Sequence, residues 1–190
     1  RMYEKNYVVS NDGNVSLKVA DDILWTTPTG VCKGDITSEM LVKVDLDGNI
    51  LAGLRRPSSE LKMHLRIYRE NAQVQAVVHA HPPIATAFAC AGKALDEPIL
   101  AEAVLKLGEV PLALYADLGT ERVAEAVAPY VKDYQALLLA NHGAVTWGED
   151  IWQSYYLLES VEQYAKILLY TKIIGAKSEL TAEEIAFLRK

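Results

Sequence analysis

Two short apolar runs, QAVVH (75–79) and QALLLA (135–140), constrain the fold more than any other feature of the chain. Runs of this length, bounded by turn residues, read as buried strands. The first passes through His79-Ala80-His81 into Pro82-Pro83, and the second stops at Asn141-His142-Gly143. Further strands are expected around them. NVSLKV (14–19) alternates Val15, Leu17 and Val19, and ILWTT (23–27) continues the sheet. LVKVDLDGNILAG (41–53) reads as a strand, an Asp47-Gly48 turn and a returning strand, and VPLALY (110–115) adds another.

Helices fill the intervals. Residues 59–71 place Leu61, Leu65 and Tyr68 at helical spacing, with Ser58 or Ser59 as N-cap. Pro82-Pro83 opens a helix through IATAFACAG, and another runs from about Thr120 to Lys132. A long helix over 149–174 carries Trp152, Tyr156, Leu157, Val161, Tyr164, Leu168 and Ile173 as an apolar stripe. Thr181 and Glu184 form a capping box for a final helix. No repeat, linker or low-complexity segment interrupts the 190 residues. The sum is a single α/β domain over 1–190, its mixed or antiparallel sheet layered by helices.

Charge and composition exclude several classes. A net charge of −6, with both signs interspersed, is wrong for a nucleic-acid surface, which needs a clustered basic patch. No apolar stretch approaches the ~18–20 residues that span a bilayer, and no charged-then-apolar N-terminal signal is expected. Cys32 and Cys90 form no CxxC pair, which suits a reducing compartment; the expected location is cytoplasmic. The sequence opens at Arg1 in mid-pattern, so a preceding N-terminal helix is expected.

The chain has four histidines, and their placement carries most of the chemistry. In a strand, residues i and i+2 share a face, so His79 and His81 can aim both imidazoles at one point. A metal ion requires that arrangement; a hydrogen-bonded core histidine beside a surface one also accommodates it. His142 sits just past another strand and would complete a three-histidine set, the ligand set of a catalytic zinc with an open position. His64, inside the helix 59–71, is expected to be an ordinary helical residue.

Three loops, SNDGNVS (10–16), TPTG (27–30) and PSSE (57–60), combine backbone N–H groups with hydroxyl and amide side chains. Such loops suit a phosphate, and the third adds a helix N-terminus. Each also has a plain reading as a turn or helix cap. Glu60 is either an early helical acid that favours the dipole or a general base beside a metal.

Taken in order, NDGNVS, TPTGV, RPSSE, VVHAHPP and ANHG resemble the class II aldolase/adducin head family, and among its members the zinc-dependent L-fuculose-phosphate aldolases most. The resemblance covers nearly the whole chain. It implies a three-layer α/β/α sandwich around a mainly antiparallel sheet, and a homotetramer with active sites between subunits. It implies that His79, His81 and His142 bind Zn²⁺, with Glu60 as catalytic acid/base and possible fourth ligand. It implies that Gly13, Asn14, Thr29, Gly30, Ser58 and Ser59 hold the phosphate of a sugar phosphate. The implied reaction is cleavage of a ketose 1-phosphate into dihydroxyacetone phosphate and an aldehyde.

The family's tyrosine acid after the HxH helix has no counterpart; that place holds Glu102, a candidate second acid/base, and no tyrosine stands at the C-terminal tail. Related sequences with L-ribulose 5-phosphate 4-epimerase activity carry Asp where this chain has Glu60. A methylthioribulose-phosphate dehydratase is compatible with PSSE. A non-catalytic interaction module, like the adducin head, would not need all three histidines, and a zinc hydrolase would not need three phosphate loops.

Overall fold

A computed structural model describes residues 1–190. Its strands are β1 (Asn14–Ala20), β2 (Ile23–Thr26), β3 (Val42–Asp45) and β4 (Ile50–Ala52), then β5 (Ala76–Ala80), β6 (Leu112–Ala113), β7 (Ala136–Leu139) and β8 (Gly143–Gly148). They form one sheet in the order β4-β3-β2-β1-β5-β8-β7-β6. Every neighbouring pair is antiparallel except β6 with β7. The helices are α1 (Leu61–Glu70), α2 (Pro83–Cys90), α3 (Ala101–Lys106), α4 (Glu121–Val127), α5 (Ile151–Ile174) and α6 (Ala182–Leu188).

Alternation along the central strands feeds two cores, one on each face. Val78, Ala80, Leu138 and Ala144 meet Phe88 of α2 and Leu158 and Leu168 of α5. Val77, Leu137, Leu139, Val145 and Trp147 meet Met63 and Ile67 of α1 and Val123 and Val127 of α4. The cores hold 19 and 18 buried residues, so neither helical layer is a mere lid. The fold is therefore the three-layer α/β/α sandwich, with a mainly antiparallel sheet, that the resemblance implies.

Several elements differ from the sequence reading. GAVTWG, not expected as a strand, is β8, and it lies between β5 and β7 at the centre of the sheet. Glycines at both ends and a mid-strand Thr146 hide it. The threonine hydroxyl is nonetheless satisfied in the core, donating to Ser154 O at 2.7 Å. VPLALY contracts to two residues, and α3 was not anticipated. The helix expected to reach Lys132 ends at Val127 and tightens into a 3₁₀ turn over Ala128–Tyr130, where Pro129 removes a helical N–H. Neither Ser58 nor Ser59 is the cap of α1: Ser58 Oγ instead accepts from Glu60 N at 3.2 Å in a local turn. In α5, Leu157, Val161, Tyr164 and Leu168 are buried, but Trp152, Tyr156 and Ile173 of the expected stripe face solvent. Apolar residues surround this helix, so periodicity alone does not choose the buried face. The Thr181–Glu184 capping box forms as expected.

Candidate active site

Strand register brings the site together. β5 pairs with β1 so that His79 lies opposite Asn14, and with β8 so that His79 lies opposite Val145. The β7–β8 turn then sets His142 beside the end of β5. Asn141 takes a left-handed conformation there (φ 57°), which asparagine tolerates better than most residues. Gly143 follows because a Cβ would lie 2.5 Å from His81 Cδ2 and 2.6 Å from Ala80 O. His81 itself stands one residue beyond β5, its N–H donating to Tyr7 O at 2.8 Å.

The three imidazoles converge. Ring centroids are 4.6 to 5.1 Å apart, and one nitrogen from each ring lies within 4.8 Å of the others. His79 Nδ1 donates to Ala144 O at 2.9 Å, which leaves its Nε2 lone pair facing His81 Nε2 at 3.2 Å. Two ring nitrogens held that close suit a shared cation. Glu60, just before α1, closes the cluster. Its Oε2 lies 3.3 Å from His79 Nε2 and its Oε1 3.1 Å from His142 Nε2. Oε1 is buried and makes no hydrogen bond, so it too is an orphan that a cation would satisfy.

Electrostatics agree with the geometry. Burial resists ionisation of Glu60, but the imidazoles of His79 and His142 outweigh it and hold the carboxyl well below the usual range. Burial, reinforced by its two neighbouring rings, pushes His81 down to about 4 and keeps it in the neutral, ligating form. The donor set of three imidazoles and a carboxylate fits a divalent metal.

Above the histidines is a cavity of about 170 Å³ lined by Gly13, Asn14, Thr29, Ser58 and Ser59 among others. Two of the loops are tied directly: Thr29 N donates to Arg56 O at 3.0 Å, and Ser58 N to Thr27 O at 3.2 Å. Gly30 follows Thr29 in a left-handed turn (φ 72°) but does not itself line the cavity. A larger apolar hollow of about 590 Å³, lined by Leu17, Trp25 and Tyr155, contains none of the histidines.

The comparisons with known proteins agree. The family model described as "Class II Aldolase and Adducin N-terminal domain" matches residues 1–169. The chain belongs to that family. It is 39% identical over 194 residues to 3-oxo-tetronate 4-phosphate decarboxylase of Escherichia coli, an alignment covering 98% of this chain and 89% of the relative. It is 40% identical over 166 residues to L-fuculose phosphate aldolase of Methanococcus vannielii, covering 87% and 88%. Among solved structures, YgbL from Escherichia coli superposes with a TM-score of 0.92 at 36% identity, over 100% of this chain and 92% of that one. An L-fuculose 1-phosphate aldolase superposes at 0.91 with 30% identity, over 98% and 88%. The chain is an enzyme of the lyase class.

Within this class II aldolase fold, a second expected residue, besides Gly30, does not join the site. Glu102 is exposed on α3 and lines a separate groove with Gln135, Gln153 and Gln163, so this chain does not bring it to its own histidines. Two residues that sequence reasoning passed over do join it. Lys33 lines the cavity, donating to Asn11 O and Val31 O, both at 2.8 Å; a solitary lysine in a loop carries no recognisable signal. His64 is not an ordinary helical residue: it is fully buried and bonded to Asn14. Its i+4 spacing from Glu60 was the available signal, since both then share one helical face.

Proposed function

We propose that this lyase decarboxylates a phosphorylated 3-oxo sugar acid of the 3-oxo-tetronate 4-phosphate type, releasing CO₂ and dihydroxyacetone phosphate. The observation that carries the reading is Lys33, the one lysine or arginine lining the cavity above Glu60 and the histidines. Asp12 also lines the cavity, and a substrate with a carboxylate beside its phosphate brings a second anion up to it and Glu60, which a cation in addition to the metal would answer. Two of the three Lys33 N–H groups are committed to carbonyls, which leaves one for that carboxylate. Further support comes from the decarboxylase relative, whose alignment takes in 98% of the chain.

In this reading Gly13, Asn14, Thr29, Ser58 and Ser59 anchor the phosphate, with Gly30 making the turn that presents Thr29 and the α1 N-terminus adding its dipole. His79, His81 and His142 would hold a divalent cation, Zn²⁺ in our proposal, which would supply Lewis acidity to the reaction. The C1–C2 bond breaks, its electron pair becomes the enediolate, and CO₂ departs. Glu60 takes a proton from solvent and delivers it to C2, so the reaction consumes one proton. CO₂ leaves without any proton transfer, and a tyrosine acid for an aldehyde oxygen has no step to serve.

The second reading is cleavage of L-fuculose 1-phosphate, favoured by the aldolase relatives; it passes through the same enediolate. Purified metal-loaded protein, offered both compounds, separates the two. Equal amounts of CO₂ and dihydroxyacetone phosphate from the sugar acid support the first; dihydroxyacetone phosphate without CO₂, and only from the fuculose ester, supports the second. We also propose a cytoplasmic homotetramer. No helix is long and apolar enough to cross a membrane, and Trp152, Tyr156 and Ile173 leave apolar surface on α5 for subunit contacts. Light scattering should return four times the chain mass.

A further inference from the structure

A continuous line of buried hydrogen bonds runs from the interior to Glu60. Tyr68 OH and Ser16 Oγ are 2.9 Å apart, and Ser16 Oγ lies 2.7 Å from His64 Nδ1. His64 Nε2 lies 2.5 Å from Asn14 Oδ1, and Asn14 Nδ2 donates to Glu60 Oε2 at 2.8 Å. The members come from β1 and α1, and His64, Ser16, Asn14 and Tyr68 are each no more than 2% exposed.

Chemistry sets the direction of every bond. An ionised Glu60 only accepts, so Asn14 must turn its amide nitrogen toward Glu60 and its oxygen toward His64. That oxygen needs a donor, which makes His64 an Nε2–H tautomer. Nδ1 is then bare and accepts from the Ser16 hydroxyl, which accepts in turn from Tyr68. Burial pushes His64 down to about 3, so the ring stays neutral and the order does not reverse near neutral pH.

We propose that His64 is the positioning residue for Glu60, acting through Asn14: it locks the Asn14 amide so that Glu60 Oε2 is pinned and Oε1 exchanges protons with the substrate. Oε1 is the carboxylate oxygen without a hydrogen bond, and it faces His142. Asn14 keeps its second N–H for a ligand oxygen, so occupancy of the cavity and orientation of Glu60 meet at one amide. A phosphate-loop asparagine alone would not require a buried histidine behind it. The inference uses Glu60 as the acid/base of the proposed reaction, and it holds for either substrate because both reactions share one enediolate.

The test uses dihydroxyacetone phosphate, the common product. Hydrogen exchange at its hydroxymethyl carbon in deuterium oxide, followed by NMR with zinc-loaded protein, reports Glu60 without the full substrate. His64→Leu should slow exchange about 100-fold at saturating dihydroxyacetone phosphate and unchanged zinc content, since a small misplacement of a catalytic group costs that much. His64→Gln, which can still donate to Asn14 Oδ1, should recover most of the rate. Exchange that is normal in His64→Leu overturns the inference, as does loss in His64→Gln equal to that in His64→Leu. No exchange in the unmodified enzyme would instead count against the Glu60 role in the proposed function. Nitrogen-15 NMR of unmodified protein at pH 6 gives a check independent of variants and activity. A neutral Nε2–H tautomer is expected for His64, and an Nδ1–H tautomer or an imidazolium overturns the proposal.

Discussion

In the proposed reaction Glu60 divides its two oxygens between two purposes. Its Oε2 is held by Asn14, while its Oε1 has only His142 nearby. Glu60→Gln keeps the shape but loses the charge and the transferable proton. It should retain zinc by elemental analysis and lose at least about 100-fold in proton exchange, in line with the general acid–base contribution. Gly143 is a residue-scale constraint of another kind. Gly143→Ala places a methyl against the His81 ring and the Ala80 carbonyl, so one of them must shift. In the proposed zinc site, displacing the His81 ring should weaken the metal at least about tenfold in a chelator competition. Such a requirement is invisible in the sequence, where NHG reads only as a turn.

At the scale of elements, α2 begins two residues after His81, yet its first turn has no side-chain cap of its own. Glu162 of α5 supplies one: its carboxylate accepts from Ile84 N at 3.0 Å and Ala85 N at 2.8 Å. Glu162→Ala leaves both N–H groups unpaired beneath α5. It should cost about 1–3 kcal/mol in urea unfolding, the penalty for stranding buried donors, and loosen the segment that carries His81. The elements carrying the histidines were legible because their apolar runs are short and sharply bounded. β8 was not, because its pairing is decided by β5 and β7 on either side rather than by its own composition. The stripe on α5 was misjudged at Trp152, Tyr156 and Ile173 for a related reason: a helix apolar on every side contains several plausible faces, and the sheet selects one.

For the whole molecule, the buried polar line imposes a pH dependence. His64 has a folded pKa near 3 against an ordinary 6.5, so between those values the unfolded chain binds a proton that the native one refuses. Stability contributed by the neutral ring is complete above pH 6.5 and is lost as pH falls toward 3, by up to about 1.4 kcal/mol per pH unit. Urea midpoints should therefore fall between pH 7 and pH 5, and His64→Gln should flatten that decline. Lowered values at Glu60 and His81 act in the same direction, so acid attacks the site and the fold together.

Sequence alone pointed to an α/β fold and singled out the three histidines, Glu60 and the small-residue loops as candidates. Spacing placed two imidazoles on one strand face, and the resemblance of five ordered motifs to one family supplied the roles. Only the tertiary structure decided that Glu102 stands apart, that Lys33 enters the cavity, and that His64 reaches Glu60 through Asn14. Asn14 and His64 are separated by 50 residues, and nothing in either segment names the other. Antiparallel pairing of β1 against β5, with α1 packed over that face, creates the contact, and burial then makes every polar atom in it find a partner.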